Sequence, residues 1–102
     1  MLLANLGTVE KFARKHAAAR ASLASWIEIA QSATWKNLQD VRKTFPSADG
    51  VSLSGKRTAT VFNIGGNNYR LVTVIAYSLQ QIAIVEVLTH AEYDKQTWKD
   101  RV

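Results

Sequence analysis

The sequence predicts an α+β domain, with two to three N-terminal helices packed on one face of a three- to four-stranded antiparallel sheet. Three observations predict it. Apolar residues recur at helical spacing in the first half of the chain, whereas Val, Ile, Thr and Tyr crowd into short extended runs in the second. Pro46 and the Ser/Asp/Gly-rich stretch 47–56 separate the two regimes. The connections between the extended runs are short, so consecutive strands should pair antiparallel.

Leu2 to Ala4 fits either a short edge strand or the lead-in to a helix. From Thr8, a candidate N-cap, the residues Val9, Phe12, Ala13 and His16 share one helical face, with Lys11, Arg14 and Lys15 opposite. A second helix begins near Ser22 and points Leu23, Trp26, Ile27 and Ala30 inward. The alanine-rich segment 17–24 joins the two as a hairpin. Thr34 is the candidate cap of a third helix that carries Trp35, Leu38 and Val41 and ends at Pro46. Residues 47–56 read as loop. Strands follow at 58–64, 69–77 and 82–89, and a short helix closes the chain over 91–99. On the central strand Tyr69, Leu71, Thr73, Ile75 and Tyr77 share one face and Arg70, Val72, Val74 and Ala76 the other. Helices on one side cover only one of these faces, so the face with Arg70 is expected to stay partly open.

At 102 residues the chain forms one domain, spanning residues 1–102. A hydrophobic fraction of 47% excludes wholesale disorder, and zero cysteines exclude disulfides and thiolate metal sites. The start, Met-Leu-Leu-Ala-Asn-Leu-Gly, has neither the basic segment nor the apolar core of a signal peptide, and no apolar run reaches membrane-spanning length. The expectation is a cytoplasmic protein with no membrane partner. Net charge is +5. Up to Thr58 nine Lys/Arg stand against four Asp/Glu and beyond it four against four, which together make the 13 and 8 of the chain. The basic excess thus lies on the helical half and on Lys56-Arg57, a surface that attracts polyanions and also keeps a small protein in solution.

Strand pairing gathers chemistry at one end of the sheet. A turn near Leu79-Gln80 sets Arg70 roughly opposite Thr89, and a turn in Gly65–Asn68 sets Phe62 roughly opposite Arg70. The Gly-Asn loop, Arg70, His90 and the start of the last helix then share an edge. Arg70 can grip a phosphate and stabilise charge developing on it. His90 can carry a proton near neutral pH. Tyr93 can stack on a base or act as a weak acid, and Lys95, Lys56 and Arg57 can hold neighbouring phosphates. Asn67 and Asn68 offer amides to a base edge, next to glycines that let backbone approach closely. RNA cleavage needs little more, because the 2′-hydroxyl is the nucleophile and neither metal nor cofactor is required.

Each residue also has a plainer role. Gly65–Asn68 makes a hairpin turn whatever else it does. Arg70 can pair with Glu86 or Glu92, and His90 can cap the last helix. His16, Trp26 and Trp35 read as core, and Trp98 as an exposed aromatic open to stacking or partner contact. His90 with Glu86 and Glu92 matches no strong metal spacing and lacks a second nearby histidine.

Two segments resemble the HigB family of bacterial toxins. One is Phe45-Pro46-Ser47-Ala48-Asp49 followed by Val61 to Leu71, with the sequence Val-Phe-Asn-Ile-Gly-Gly-Asn-Asn-Tyr-Arg-Leu; the other is Thr89-His90-Ala91-Glu92-Tyr93-Asp94-Lys95. The resemblance extends over nearly the whole chain in order. It implies a RelE-like fold and ribosome-dependent endoribonuclease cleavage of messenger RNA. The implied inhibitor is a HigA-type helix-turn-helix antitoxin, with DNA contacted only through that antitoxin. It implies that Arg70 contacts the scissile phosphate and that His90 and Tyr93 stand where related toxins place acid and base. Val61 and Asn63 occupy the positions at which the best-known members of the superfamily carry paired lysines. The sequence therefore assigns catalysis to Arg70, His90, Tyr93 and Lys95, and RNA binding to Lys56, Arg57, Asn67 and Asn68. A non-catalytic RNA- or protein-binding module of the same fold is the alternative.

Overall fold

The central strand is apolar on both faces, so each face needs a cover, and the chain provides two of different kinds. A computed structural model describes all 102 residues. A short strand β1 (Leu2–Ala4) leads into helices α1 (Leu6–Lys15), α2 (Arg20–Ser32) and α3 (Leu38–Thr44). Strands β2 (Asp49–Ser52), β3 (Thr58–Ile64), β4 (Tyr69–Ala76) and β5 (Gln81–Thr89) follow, and helix α4 (His90–Asp94) runs directly out of β5. The α+β expectation holds, but the sheet has five strands, in the order β1-β5-β4-β3-β2. All neighbours are antiparallel except β1, which lies parallel to β5.

The two extra strands have identifiable causes. Of the two readings of Leu2–Ala4, the edge strand is the one observed. Asn5 then takes a left-handed backbone (φ 69), a conformation its short polar side chain tolerates, and its amide donates to Ile84 O at 3.2 Å, which fixes the reversal into α1. Helix α1 consequently starts at Leu6, ahead of the Thr8 expected to cap it. β2 lies inside the stretch expected to be loop. Its residues have little strand propensity of their own, and pairing with β3, Asp49 opposite Val61 and Ser52 opposite Thr58, makes the strand.

Helix α3 begins later than expected. Asn37, not Thr34, is its cap, accepting from Asp40 N at 2.9 Å while Asp40 Oδ2 accepts from Lys36 N at 3.0 Å. Trp35 is buried as expected, but in the connection before the helix, edge-on to Phe45 and stacked over Phe62.

The helices cover the face formed by Phe62, Ile64, Leu71, Ile82, Ile84 and Val87, with Val9, Leu23, Trp26, Trp35 and Val41 packed onto it. A bulge maintains that face. Pairing steps from Val72 opposite Glu86 to Thr73 opposite Ile84, leaving Val85 as the extra residue. Without it the strict alternation of β5 could not turn Val87 and Ile84 to the same side.

The opposite face is closed by the end of the chain. Val61, Val72 and Leu88 lie under Leu53 of the β2–β3 connection and under Trp98, which is 0% exposed. Trp98, expected to be an exposed aromatic, is thus a core residue. Its indole stacks on Tyr93 (centroids 5.2 Å, 19° between planes) and donates to Tyr93 O at 3.1 Å. No helix is long and apolar enough to cross a membrane.

Candidate functional site

Register decides what stands beside Arg70. The pairs are Asn63 with Arg70 and Arg70 with Leu88, each one residue away from the sequence expectation of Phe62 and Thr89. A one-residue slip exchanges the faces of a strand. Phe62 therefore goes into the helical core, and an amide takes the place beside the guanidinium. Asn63, Val61 and Asp49 share the face that carries Arg70.

The Gly65–Asn68 turn sits at this end of the sheet. Gly65 (φ 61) and Gly66 (φ 69) take the left-handed region a tight hairpin demands, and a Cβ on Gly65 would also lie 3.2 Å from the Tyr69 ring. The turn is tied down by side chains. Asn63 Nδ2 donates to Asn67 Oδ1 at 3.0 Å, Arg70 Nη1 donates to Asn67 O at 3.0 Å and to Tyr69 O at 3.1 Å, and His90 N donates to Asn68 O at 2.9 Å.

Arg70 thus hydrogen-bonds to carbonyls and forms no ion pair. The carboxylates expected to meet it are engaged elsewhere. Glu86 is held by Arg101 at 2.8 Å, and Glu92 accepts from Thr89 N at 2.9 Å in a capping box. Carbonyls orient a guanidinium without cancelling its charge, so Arg70 keeps a full positive charge. Its Cζ lies 5.6 Å from the centre of the Tyr93 ring. Tyr93 is itself fixed by α4 below and Trp98 behind. Partial burial pushes the Tyr93 phenol above its ordinary value, the Asp49 charge adds to the rise, and the Arg70 charge opposes it. The phenol is therefore a neutral proton donor across the physiological range.

These groups open onto a cleft of about 390 Å³ lined by Arg42, Pro46, Ser47, Ala48, Asp49, Val61, Asn63, Arg70 and Tyr93. Arg42 comes from the last turn of α3. Its Nε donates to Ala48 O at 2.9 Å, and its Nη2 stands 3.7 Å from Asp49 Oδ1. Two guanidinium groups, one carboxylate, one phenol and one amide therefore face a space open to solvent.

A model of the family described as HigB_toxin, RelE-like toxic component of a toxin-antitoxin system, matches residues 19–96. The chain belongs to the HigB toxin family. Among its relatives, the mRNA interferase toxin HigB of Escherichia coli K12 is 38% identical over 60 residues, 59% of this chain and 56% of that protein. The mRNA interferase HigB of Shigella flexneri matches with the same figures. The mRNA interferase HigB of Escherichia coli O6:H1 is 28% identical over 88 residues, 86% of this chain and 84% of that one. The chain thus aligns with little more than half the length of the first two relatives, and with most of the third.

The HigB match takes in every residue of the cleft and stops short of Trp98. Of the residues singled out in the sequence, the structure brings Arg70, Tyr93 and Asn67 together with Asn63. Asn68 contributes its carbonyl to the turn. His90 joins this end of the sheet through its backbone, but its imidazole Nδ1 lies 3.0 Å from Asp94 Oδ2, one turn along α4, and does not line the cleft. Thr89, not His90, caps α4. Lys95 is exposed at the end of α4 and carries no ion pair. Lys56 and Arg57 are exposed at the far end of β3, about 20 Å along the strand from Asn63. His16 ends α1 on the helical side of the sheet, stacked on Phe12 at 4.2 Å and edge-on to Tyr69. Arg42 has no part in the sequence reading, and Asp49 enters it only as the last residue of the Phe45–Asp49 segment that resembles the HigB family, with no chemical role assigned. Arg42 looks like any basic residue on a solvated helix face, and Asp49 looks like loop.

Proposed function

We propose that this HigB-family protein is an endoribonuclease that cuts messenger RNA on the ribosome, arrests translation in the cytoplasm, and is restrained by a HigA-type helix-turn-helix antitoxin. The observation that carries this reading is the Arg70–Tyr93 pair. A guanidinium with no carboxylate partner lies over a phenol held neutral, on an open cleft that Asn63, tied to the Asn67 amide of the turn, also lines. The mRNA interferase names of the relatives support it.

The chemistry follows from the parts. The 2′-hydroxyl attacks the adjacent phosphorus, so the substrate brings its own nucleophile and the step as written involves no metal. Arg70 offers N–H donors to the equatorial oxygens, where negative charge accumulates. Tyr93 faces the same space and can protonate the departing 5′-oxygen. The products are a 2′,3′-cyclic phosphate and a 5′-hydroxyl. Lys95, Lys56 and Arg57 lie outside the cleft, and their place in this reading is on the RNA backbone to either side. His90 lies outside the cleft with its Nδ1 3.0 Å from Asp94 Oδ2, and has no step in this reading.

Induced expression in a bacterial host tests the reading. Growth should stop, and transcripts recovered from ribosomes should end in cyclic phosphates. Continued growth with intact transcripts would leave a binding module of the same fold as the better description.

A further inference from the structure

We propose that Asp49 is the general base of the cleavage step, taking the 2′-hydroxyl proton, with Arg42 as the residue that holds its carboxylate in the cleft. The inference rests on the endoribonuclease reading above and supplies the proton acceptor that reading lacks. His90 does not line the cleft, whereas Asp49 is the one carboxylate that does.

The placement follows from the sheet. Asp49 opens β2 opposite Val61, and Asn63, two residues along on the same face, stands opposite Arg70. The two Cα atoms are thus two strand spacings apart and one pleat repeat offset, about 12 Å. Two side chains that line the same cleft from that separation leave room for one ribose-phosphate unit between them. The carboxylate is kept available for it. No hydrogen bond occupies either Asp49 oxygen, and Arg42 Nη2 at 3.7 Å attracts the carboxylate by charge without filling its lone pairs. Arg42 is anchored in turn through its Nε on Ala48 O at 2.9 Å, which keeps its guanidinium beside Asp49 at the cleft. Three charged or titratable groups face Asp49: Arg42 from α3, Arg70 from β4 and Tyr93 from α4. The Asp49 charge helps keep Tyr93 protonated, which suits Tyr93 to the part of the acid.

The step balances. Asp49 accepts the 2′ proton as the 2′-oxygen bonds to phosphorus. The bond from phosphorus to the 5′-oxygen breaks, and that oxygen takes the Tyr93 proton. Protonated Asp49 and the Tyr93 phenolate, the latter beside the Arg70 cation, then return to their starting states by exchange with water.

Single-turnover cleavage of ribosome-bound messenger RNA by Asp49→Asn and Tyr93→Phe tests the assignment, across pH, with all-oxygen RNA and with RNA carrying a bridging 5′-sulfur at the cut site. Asp49→Asn is expected to bind ribosomes as the unchanged protein does. It should cleave about 100- to 10,000-fold more slowly, the range of one general base, and lose the acidic limb of its pH–rate profile. Sulfur leaves without a proton, so the bridging substrate should restore Tyr93→Phe and leave Asp49→Asn slow. An Asp49→Asn protein that keeps the acidic limb, or that the sulfur substrate rescues, overturns the assignment while cleavage by the unchanged protein still upholds the nuclease reading. If the unchanged protein releases no cyclic phosphate from either substrate, the nuclease reading itself fails. Arg42→Lys, which keeps the charge but not the fork, should slow cleavage less than Asp49→Asn and retain the acidic limb. A limb lost with Arg42→Lys would move the base away from Asp49.

Discussion

The two faces of the sheet are held by different means. The helical face is closed by three helices and by large side chains in mutual contact: Trp26 edge-on to Phe62 at 5.2 Å, Phe45 edge-on to Phe62 at 5.4 Å, and Trp35 stacked over the same ring. The other face has a patch of six buried residues whose only large member is Trp98, and it gives way to polar groups toward Arg70. A wide apolar layer holds the backbone rigid, while a narrow one on the reverse leaves part of the same strands free to carry charge. The site is therefore built on the backs of core residues. Phe62 lies between Val61 and Asn63, and Leu71 follows Arg70, so the cleft side chains of β3 and β4 are each placed by a neighbour locked into the helical layer.

Breaking the helical layer should have the largest effect. Phe62→Ala removes the ring that Trp26, Trp35 and Phe45 all touch and is expected to cost about 4 kcal/mol. That is a large share of the roughly 5–15 kcal/mol available to a domain. Urea unfolding should show the midpoint falling steeply. Arg70→Ala breaks the other side of the comparison. It should reduce cleavage and growth arrest by about 100- to 1,000-fold, as loss of one transition-state donor does. The melting midpoint should move little, because its two bonds go to carbonyls at the β3–β4 turn, at the end of the sheet. A loss of fold comparable to Phe62→Ala would show that Arg70 belongs to the structural layer and not to the site.

The contrast also explains what could be read from the sequence. The helical face was legible because periodicity records burial: β3 runs over 58–64 as expected, β4 and β5 lie within one residue of expectation, and Leu23, Trp26 and Val41 point inward. The cleft face was only half legible. Arg70 and Tyr93 stood out as residue types with chemistry. Asn63 did not, because the four-residue turn at 65–68 shifts the pairing by one position relative to a turn centred on Gly66. Asp49 was visible as the end of a family-like segment but not as a cleft residue, because β2 is a strand by virtue of its partner. Trp98 was misplaced because a terminal aromatic can be recognised as core only when the surface it closes is known. What the sequence leaves out is the tertiary pairing that converts an unremarkable Arg42 and a loop-like Asp49 into walls of one cleft.

The electrostatics of the cleft give a subtler test than activity. Burial and the Asp49 charge raise the Tyr93 phenol above its ordinary value, and the Arg70 charge lowers it. Asp49→Asn should therefore let Tyr93 ionise at lower pH, and Arg70→Gln should make it ionise at higher pH. Phenolate absorbance can follow both. Tyr77 is also raised, mainly by burial, so the Tyr93 component should be isolated by difference from the corresponding Tyr93→Phe protein. Shifts in the same direction from both substitutions would mean that general loosening, not charge, sets the value.

The smallest effect is expected where the two regimes join, at the turn from β5 into α4. Thr89 ends the strand opposite Tyr69 and also caps the helix that carries Tyr93, its hydroxyl accepting from Glu92 N at 3.2 Å while Glu92 accepts from Thr89 N at 2.9 Å. The backbone bond to Thr89 is the main cause holding the Glu92 carboxyl below its usual range, with the His16 and Arg101 charges assisting. A depressed folded value means that Glu92 stabilises the fold above the ordinary carboxylate range and that this contribution disappears as pH falls through the lower folded value. Glu92 is mostly exposed, so solvent screening keeps the contribution small. Thr89→Ala should cost about 1 kcal/mol at neutral pH. Because the bond from Thr89 N to Glu92 survives that substitution, the acid dependence should remain in Thr89→Ala and vanish in Glu92→Gln. Thermal melts between pH 3 and 7 separate the two. If Thr89→Ala slows cleavage out of proportion to its stability loss, the cap is acting through the orientation of Tyr93, and the division between a structural face and a working face passes through this one residue.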